Sequence, residues 1–120
     1  MDELAEFLPN AHWEQTGQNT YFCDDPDLEA IWFKVAEELP NSLKGCGLQA
    51  WKTTGYTRVV GPRGYILAVR IIDGKPRIIG GPLLIPKSEP FHFQREVIIS
   101  GSLFYIVALP PPADSSANQA

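Results

Sequence analysis

Two histidines and two cysteines are the side chains of this chain best suited to catalysis or metal binding. His92 lies in the segment PFHFQRE, four residues before Glu96. An imidazole beside a carboxylate can act as a general base, so His92 and Glu96 are candidate catalytic residues, with Asp73 as an alternative carboxylate. A hydrogen-bonded surface histidine is the simpler interpretation of His92, and we prefer it.

Cys46 is the third catalytic candidate, because Lys44 precedes it in the segment KGCGL. A nearby ammonium group favours the thiolate, which is the reactive form of cysteine. A small buried side chain in a tight loop explains Cys46 better. No two of the residues His12, Cys23, Cys46 and His92 have the close spacing of a zinc motif. We therefore expect no metal site and no cofactor, and the sequence leaves open whether the two cysteines form a disulfide.

The segment GPRGYILAVRIIDGKPRIIGGP, residues 61–82, raises the question of phosphate binding. It lacks both common glycine-rich phosphate motifs, Gly-x-Gly-x-x-Gly and Gly-x-x-x-x-Gly-Lys-Ser/Thr. No helical pattern follows its glycines, so no helix N-terminus would hold an anion. The pair Asp73-Gly74 instead indicates a hairpin turn. We predict strands separated by turns here, with no nucleotide site.

Five aromatic residues recur along the predicted strands and could line a cavity. They are Trp51, Tyr56, Phe91, Phe93 and Tyr105. A cavity of this kind is the usual setting for a small apolar ligand. Aromatic residues at such spacings are more often plain core, so the ligand site is the weaker interpretation.

The charges of the chain are unevenly distributed, which can indicate a surface for a partner. Residues 1–40 hold ten acidic residues and one lysine, a net charge of −9, and the remainder carries +5. Lys52, Tyr56 and Arg58 alternate along one strand, and Arg70, Arg77 and Arg95 would extend a basic surface if they join that face. Together with a lone aromatic on the predicted helix, the candidate interaction residues are Phe33, Arg58, Arg70 and Arg77.

Such a basic and aromatic surface suits single-stranded nucleic acid, but the isoelectric point near 5.0 argues against it. An acidic protein partner fits better, including the acidic third of a second copy.

The clearest secondary structure is a helix over residues 26–39. Asp25 can cap its start, and Pro40 follows its end. Leu28, Ile31, Trp32, Val35 and Leu39 recur with helical spacing and form one apolar face. Residues 2–8 predict a further helical turn, and residues 11–25 predict two short strands joined at TGQN.

The rest of the chain predicts mainly strands, many apolar on both faces. The segments YILAVRII and SLFYIVAL show this best. Strands of that composition are normally buried on both sides, and one helix cannot cover a sheet of five or six strands. We expect an α+β fold in which a strongly curved, mainly antiparallel sheet of five or more strands, a partial barrel, packs on the one principal helix. A homodimer would cover the sheet surface that the helix leaves exposed.

Length and composition place the chain among ordinary globular proteins of one domain, which we assign to residues 1–109. Residues 110–120 predict a disordered tail rich in proline and serine. No secretory signal or membrane-spanning run is evident, so we expect a cytoplasmic protein. The function expected is a non-enzymatic binding or interaction module for a protein or small apolar ligand. The alternatives are a small enzyme that uses His92 and a nucleic-acid accessory protein.

Overall fold

The computed structural model describes residues 1–111 and contains two short helices and one antiparallel sheet. The elements are α1 (Asp2–Phe7), β1 (Trp13–Gln15), β2 (Thr20–Cys23), α2 (Leu28–Val35), β3 (Gly47–Ile78) and β4 (Phe91–Leu109). One-turn 3₁₀ helices follow at Leu8–Asn10, Ala36–Glu38 and Asn41–Leu43. The strand order is β1-β2-β3-β4 and each neighbouring pair is antiparallel. The α+β class and the antiparallel sheet are therefore confirmed.

Helix α2 lies within the predicted range but is shorter. The Asp25 carboxylate accepts the N–H of Asp27 at 2.9 Å, just before the helix begins. Leu28 and Val35 are buried on the face that the helical spacing predicted. The chain then tightens into the 3₁₀ turn Ala36–Glu38, so the expected single helix over residues 26–39 is a shorter α-helix with an added turn.

The turns expected inside the second half of the chain do not separate strands. Strand β3 runs through both GPRG and DGKP, and β4 runs through the Ser-Gly pair at 100–101. Gly74 has φ +66° where the pairing slips between Asp73 and Arg77, and Gly101 has φ +124°. A glycine with positive φ can form a bulge inside a strand as well as a hairpin turn. The hairpin predicted at Asp73-Gly74 is therefore wrong.

Strand β3 pairs with both edges of β4. Residues 47–61 pair with 95–109, and residues 65–78 pair with 99–108 on the other side. Tyr65 is paired with both His92 and Ala108. Within residues 1–111 the sheet has four strands and does not close into a barrel. The expected strongly curved partial barrel of five or more strands is not confirmed, because the turns that would divide it lie within β3 and β4.

Two apolar clusters cover the two faces of this sheet. The first joins the helices to one face and comprises Leu4, Leu8, Cys23, Leu28, Val35, Leu39, Leu43, Ala50, Leu67, Val69, Phe104, Ile106 and Ala108. The second lies on the other face, which we call the inner face, and comprises Ile66, Ala68, Ile78, Leu84, Phe93, Val97, Ile99, Leu103, Tyr105 and Val107. The chain therefore buries much of both faces by itself. The expectation that the second face would be left uncovered is not met.

Candidate functional site

The structure does not join His92 to Glu96. Within residues 1–111, no hydrogen bond or ion pair links the two side chains; the His92 ring instead lies 5.1 Å from the ring of Tyr65, centre to centre. Glu96 accepts a hydrogen bond from Arg58, with 2.5 Å between Nε and Oε2. This ion pair raises the pKa of Arg58. The geometry therefore provides no histidine–carboxylate base at this position.

A different histidine has a carboxylate partner. His12 Nδ1 lies 2.5 Å from Asp24 Oδ1, and the backbone N–H of His12 donates to Asp25 Oδ2. The hydrogen bond to Asp24 raises the pKa of His12. No sequence motif singles out this pair, although the predicted hairpin implies it. Trp13 pairs with Cys23, which places the neighbouring residues His12 and Asp24 side by side. The pair lies on the exposed surface and, among the described residues, no cysteine or hydroxyl is bonded to it.

Cys46 and Phe33 line one shallow groove between α2 and the loop after it. The groove has a volume of about 520 Å³. Its apolar lining includes Trp32 and Leu48, with Glu29 and Glu37 among its polar residues. Cys46 Sγ donates to the carbonyl of Ser42 at 3.5 Å, and Phe33 is 79% exposed. Neither cysteine is in a disulfide.

The strand register places Arg58, Arg70 and Arg77 on the same face of the sheet. The helices cover the other end of that face. Side chains opposed across antiparallel strands lie on the same side. Tyr56, Ser100 and Arg77 form one row across the sheet, and Arg58 and Ile98 begin the next. Lys52 and Arg70 both flank Phe104, two rows nearer the helices than Ser100.

Beyond Phe104 this face is exposed, and we call the exposed part the open half. The open half consists of Tyr56, Arg58, Val60, Arg77, Ile79, Glu96, Ile98 and Ser100. Tyr56 is 68% exposed and Val60 is 69% exposed, which is high for side chains of this size on regular strands. The covered half is the part under α1 and α2, represented by Ala50, Leu67, Phe104, Ile106 and Ala108.

Lys52 and Arg70 belong to the boundary between the halves. The Lys52 ammonium lies 4.3 Å from the ring centre of Tyr21. Arg70 Nη1 donates to the carbonyl of Ala5 in α1 at 3.1 Å. The first contact holds Lys52 against β2 and the second holds Arg70 against α1, so Arg58 and Arg77 remain the basic groups of the open half.

The five aromatic ligand candidates do not line one cavity. Tyr56 lies on the open half, so it cannot join the other four on the inner face. Phe91 and Phe93 border a groove of about 380 Å³ near Ile78 and Gln94. Trp51 and Tyr105 border a separate pocket of about 300 Å³. Burial raises the pKa of Tyr105, so its hydroxyl remains protonated.

Comparison with known proteins adds no assignment. No protein-family model matches the chain, and neither the curated proteins nor the solved structures show a significant match. In the described residues, no three side chains among histidine, cysteine, aspartate and glutamate are grouped so that they could hold a metal ion. The helices found in residues 1–111 are too short or too polar for any of them to span a bilayer. Any functional assignment therefore depends on the surfaces described above.

Proposed function

We propose that this chain is a non-enzymatic interaction module that forms a homodimer through the open half of its sheet. The observation that carries the proposal is the exposure of Tyr56, Val60, Ile79 and Ile98 on one surface formed by β4 and the two segments of β3 that flank it. Contiguous exposed apolar side chains rimmed by polar groups are typical of protein-binding surfaces. Arg58, Arg77 and Glu96 supply the polar groups here.

Charge indicates which surface of the second copy would fit. The open half carries two arginines and one glutamate, whereas residues 1–40 carry a net charge of −9. Within that acidic region, Phe33 is exposed beside Glu29 and Glu37 on one groove. Two carboxylates and the ammonium group of Lys44 border this groove, so its net charge is negative and complements the guanidinium groups of the open half. We therefore assign the α2 groove of one copy as the surface that meets the open half of the other.

The experiment is light scattering behind size-exclusion chromatography over a concentration series from about 1 µM to 500 µM. Wild-type chain is expected to pass from monomer to dimer. Arg58→Glu places a negative charge against Glu29 and Glu37 and is expected to weaken the dimer about tenfold, because like charges that face each other across an interface repel. Lys87→Glu makes the same change of net charge on a loop outside both surfaces and serves as the control.

A charge exchange then tests the pairing itself. Glu29→Arg alone is expected to weaken the dimer, and mixing it with Arg58→Glu is expected to restore a mixed dimer. A wild-type chain that stays monomeric throughout the series would rule out the homodimer. If Arg58→Glu weakens the dimer while Glu29→Arg does not, the open half is the interface but the α2 groove is not its partner.

Of the two alternative functions, the small enzyme has less support, because His92 and Glu96 are engaged separately. The nucleic-acid alternative has some geometric support, since the register brings Lys52, Arg70 and Arg77 to the face of Arg58. The contacts of Lys52 with Tyr21 of β2 and of Arg70 with α1 interrupt that basic surface, and the isoelectric point near 5.0 disfavours nucleic-acid binding. The two free thiols are what a reducing compartment would contain, which supports the cytoplasm as the expected location. Of the tail predicted at residues 110–120, positions 112–120 lie outside the described residues.

A further inference from the structure

We propose that Phe33 is the anchor of a reciprocal dimer, in which the Phe33 side chain of each copy packs on β4 of the other copy between Arg58 and Arg77. This inference rests on the proposed function and specifies how its two surfaces meet. Helix α2 of one copy covers the open half of the other, much as the chain's own helices cover the covered half. The dimer is therefore closed, and every contact in it is made twice.

Phe33 lies on the side of α2 that points away from its own sheet. Successive helical residues are rotated by about 100°, so Phe33 is turned by roughly 140° from Leu28 and roughly 160° from Val35, the two buried residues of the helix. Its side chain is 79% exposed, the highest value among the large apolar side chains of residues 1–111. Aromatic side chains that pack into a partner's surface often dominate the binding energy of an interface. Phe33 has both the exposure and the residue type of such an anchor.

Two carboxylates flank Phe33 at equal distances along α2. Glu29 lies four residues before Phe33 and Glu37 lies four residues after it, and all three line the α2 groove. Residues four apart are neighbours on one side of a helix. At about 1.5 Å per residue, the two glutamates are about 12 Å apart along the helix. The outer side of α2 therefore presents an aromatic ring midway between two negative charges.

The two arginines of the open half have the same separation. Arg58 is paired with Ile98 on one side of β4, and the next row along β4 pairs Ser100 with Arg77 on its other side. Two strand spacings of about 4.8 Å and a shift of about 6.6 Å along β4 place the Cα atoms of the two arginines about 12 Å apart. When the two carboxylates of α2 meet these arginines, the ring between them lies over the middle strand. Phe33 of one copy then packs on Ile98 and Ser100 of the other.

Both guanidinium groups are held in place and still have donors for a partner. Arg58 Nε is bonded to Glu96, and Arg77 Nη2 donates to the carbonyl of Gly81 at 3.3 Å. A guanidinium group carries five N–H donors, so each arginine retains N–H groups for a second acceptor. Side chains that are already held lose less conformational freedom on binding. The open half is thus prepared to receive two carboxylates.

The position of α2 in the fold accounts for the reciprocal contact. The helices pack on the same face of the sheet to which the open half belongs. Two copies that turn these faces toward each other about a two-fold axis bring each α2 over the open half of the other copy. Both contacts then form together, and association stops at two chains.

The test is an isotope-filtered NOE measurement on a mixture of labelled and unlabelled wild-type chain, at a concentration where light scattering shows the dimer. Contacts between copies are expected from the Phe33 ring to the methyl groups of Ile98 and Ile79. None is expected to Ile85, an exposed isoleucine on the loop between β3 and β4. A dimer without contacts between Phe33 and Ile98 would overturn the anchor but leave the homodimer intact. A wild-type chain that stays monomeric would overturn both, and a mass that rises beyond two chains would overturn the reciprocal closure.

Substitution of Phe33 measures the anchor. Phe33→Ala is expected to weaken the dimer at least tenfold, as the loss of a central aromatic anchor does. Its urea midpoint at a few micromolar should equal that of wild type, because the side chain is already in water in the monomer. Ile85→Ala truncates an exposed side chain outside both surfaces and is the control. Equal dimer affinity for Phe33→Ala and wild type would overturn the inference.

A second charge exchange tests the alignment of the two rows. With Glu29 on Arg58, Glu37 meets Arg77. Arg77→Glu is expected to weaken the dimer about tenfold, because like charges then face each other. Mixing it with Glu37→Arg is expected to restore a mixed dimer, whereas mixing it with Glu29→Arg is not. Restoration by neither variant, or by Glu29→Arg instead, would overturn this alignment.

Discussion

The covered and open halves lie on the same face of the same two strands, yet they differ in what their side chains contact. In the covered half, Ile106 and Ala108 of β4 are fully buried against the helices. In the open half, Ile98 of the same strand is 38% exposed, and Tyr56 opposite Ser100 is more exposed still. The two halves meet at a pair of opposed glycines, Gly55 and Gly101. An isoleucine is thus buried at one end of this face and partly exposed at the other, where Arg58, Arg77 and Glu96 share the surface with it.

The length of the elements explains the difference. Helix α2 has eight residues and is roughly 12 Å long, whereas β4 has nineteen residues and follows a path of roughly 60 Å. Helices of this size cover only part of such a strand, and the remainder of that face stays exposed. One face of an apolar strand can therefore be buried in the core at one end and remain available for a partner at the other.

The largest expected effect comes from truncating one isoleucine in each half. Ile106→Ala is expected to lower the free energy of unfolding by about 2–5 kcal/mol, because it opens a cavity among fully buried side chains. Ile98→Ala is expected to cost less than about 1 kcal/mol, because its side chain is already partly in water. Urea unfolding at a few micromolar, where a weak dimer is dissociated, measures both. Similar losses for the two variants would mean that the open half is packed after all.

A smaller effect is expected at the glycine pair that separates the halves. Gly101 has φ +124°, and a Cβ there would lie 2.6 Å from the Cα of Pro76. Gly101→Ala should therefore cost more than the roughly 1–2 kcal/mol penalty for a positive φ alone. Gly74→Ala isolates that penalty, since Gly74 has φ +66° with nothing within 4 Å of an added Cβ. Equal unfolding free energies for the two variants would show that the contact with Pro76 is relieved without cost.

Local patterns predicted the helical side of this protein better than its long strands. The helical spacing of Leu28 and Val35 located α2, and TGQN located the turn between β1 and β2. Helix capping and the spacing of apolar residues depend on neighbours in the chain, so a short segment of sequence is enough to locate a helix or a turn. Whether a glycine such as Gly74 ends a strand or forms a bulge depends on pairing with β4, which is distant in sequence. The sequence pattern alone could not decide it.

The candidate sites show the same limit. The alternation of Tyr56 and Arg58 correctly placed both side chains on one side of β3, and the cross-strand register then added Arg77. The aromatic set predicted as one ligand site divides between two faces, because Tyr56 has the opposite parity to Trp51 on the same strand. The separation of Arg58 and Arg77 across β4 depends on the pairing of distant segments, and no local sequence pattern encodes it.

The smallest effect is expected on substitution of His12, which lies outside both halves of the sheet face. The substitution tests whether the surface near β1 contributes to folding stability. The bond to Asp24 raises the pKa of His12 above its usual value of 6.5. Because the folded-state pKa is the higher one, the stabilisation is fully present below about pH 6.5 and is lost as the pH rises through the folded-state pKa. His12→Gln should therefore reduce the urea midpoint at pH 5.5 more than at pH 8.5. His92→Gln, which removes a histidine without an ion pair in residues 1–111, is the matched control. An equal reduction for His12→Gln at both pH values would mean that the charge on His12 does not strengthen its contact with Asp24 in the folded state.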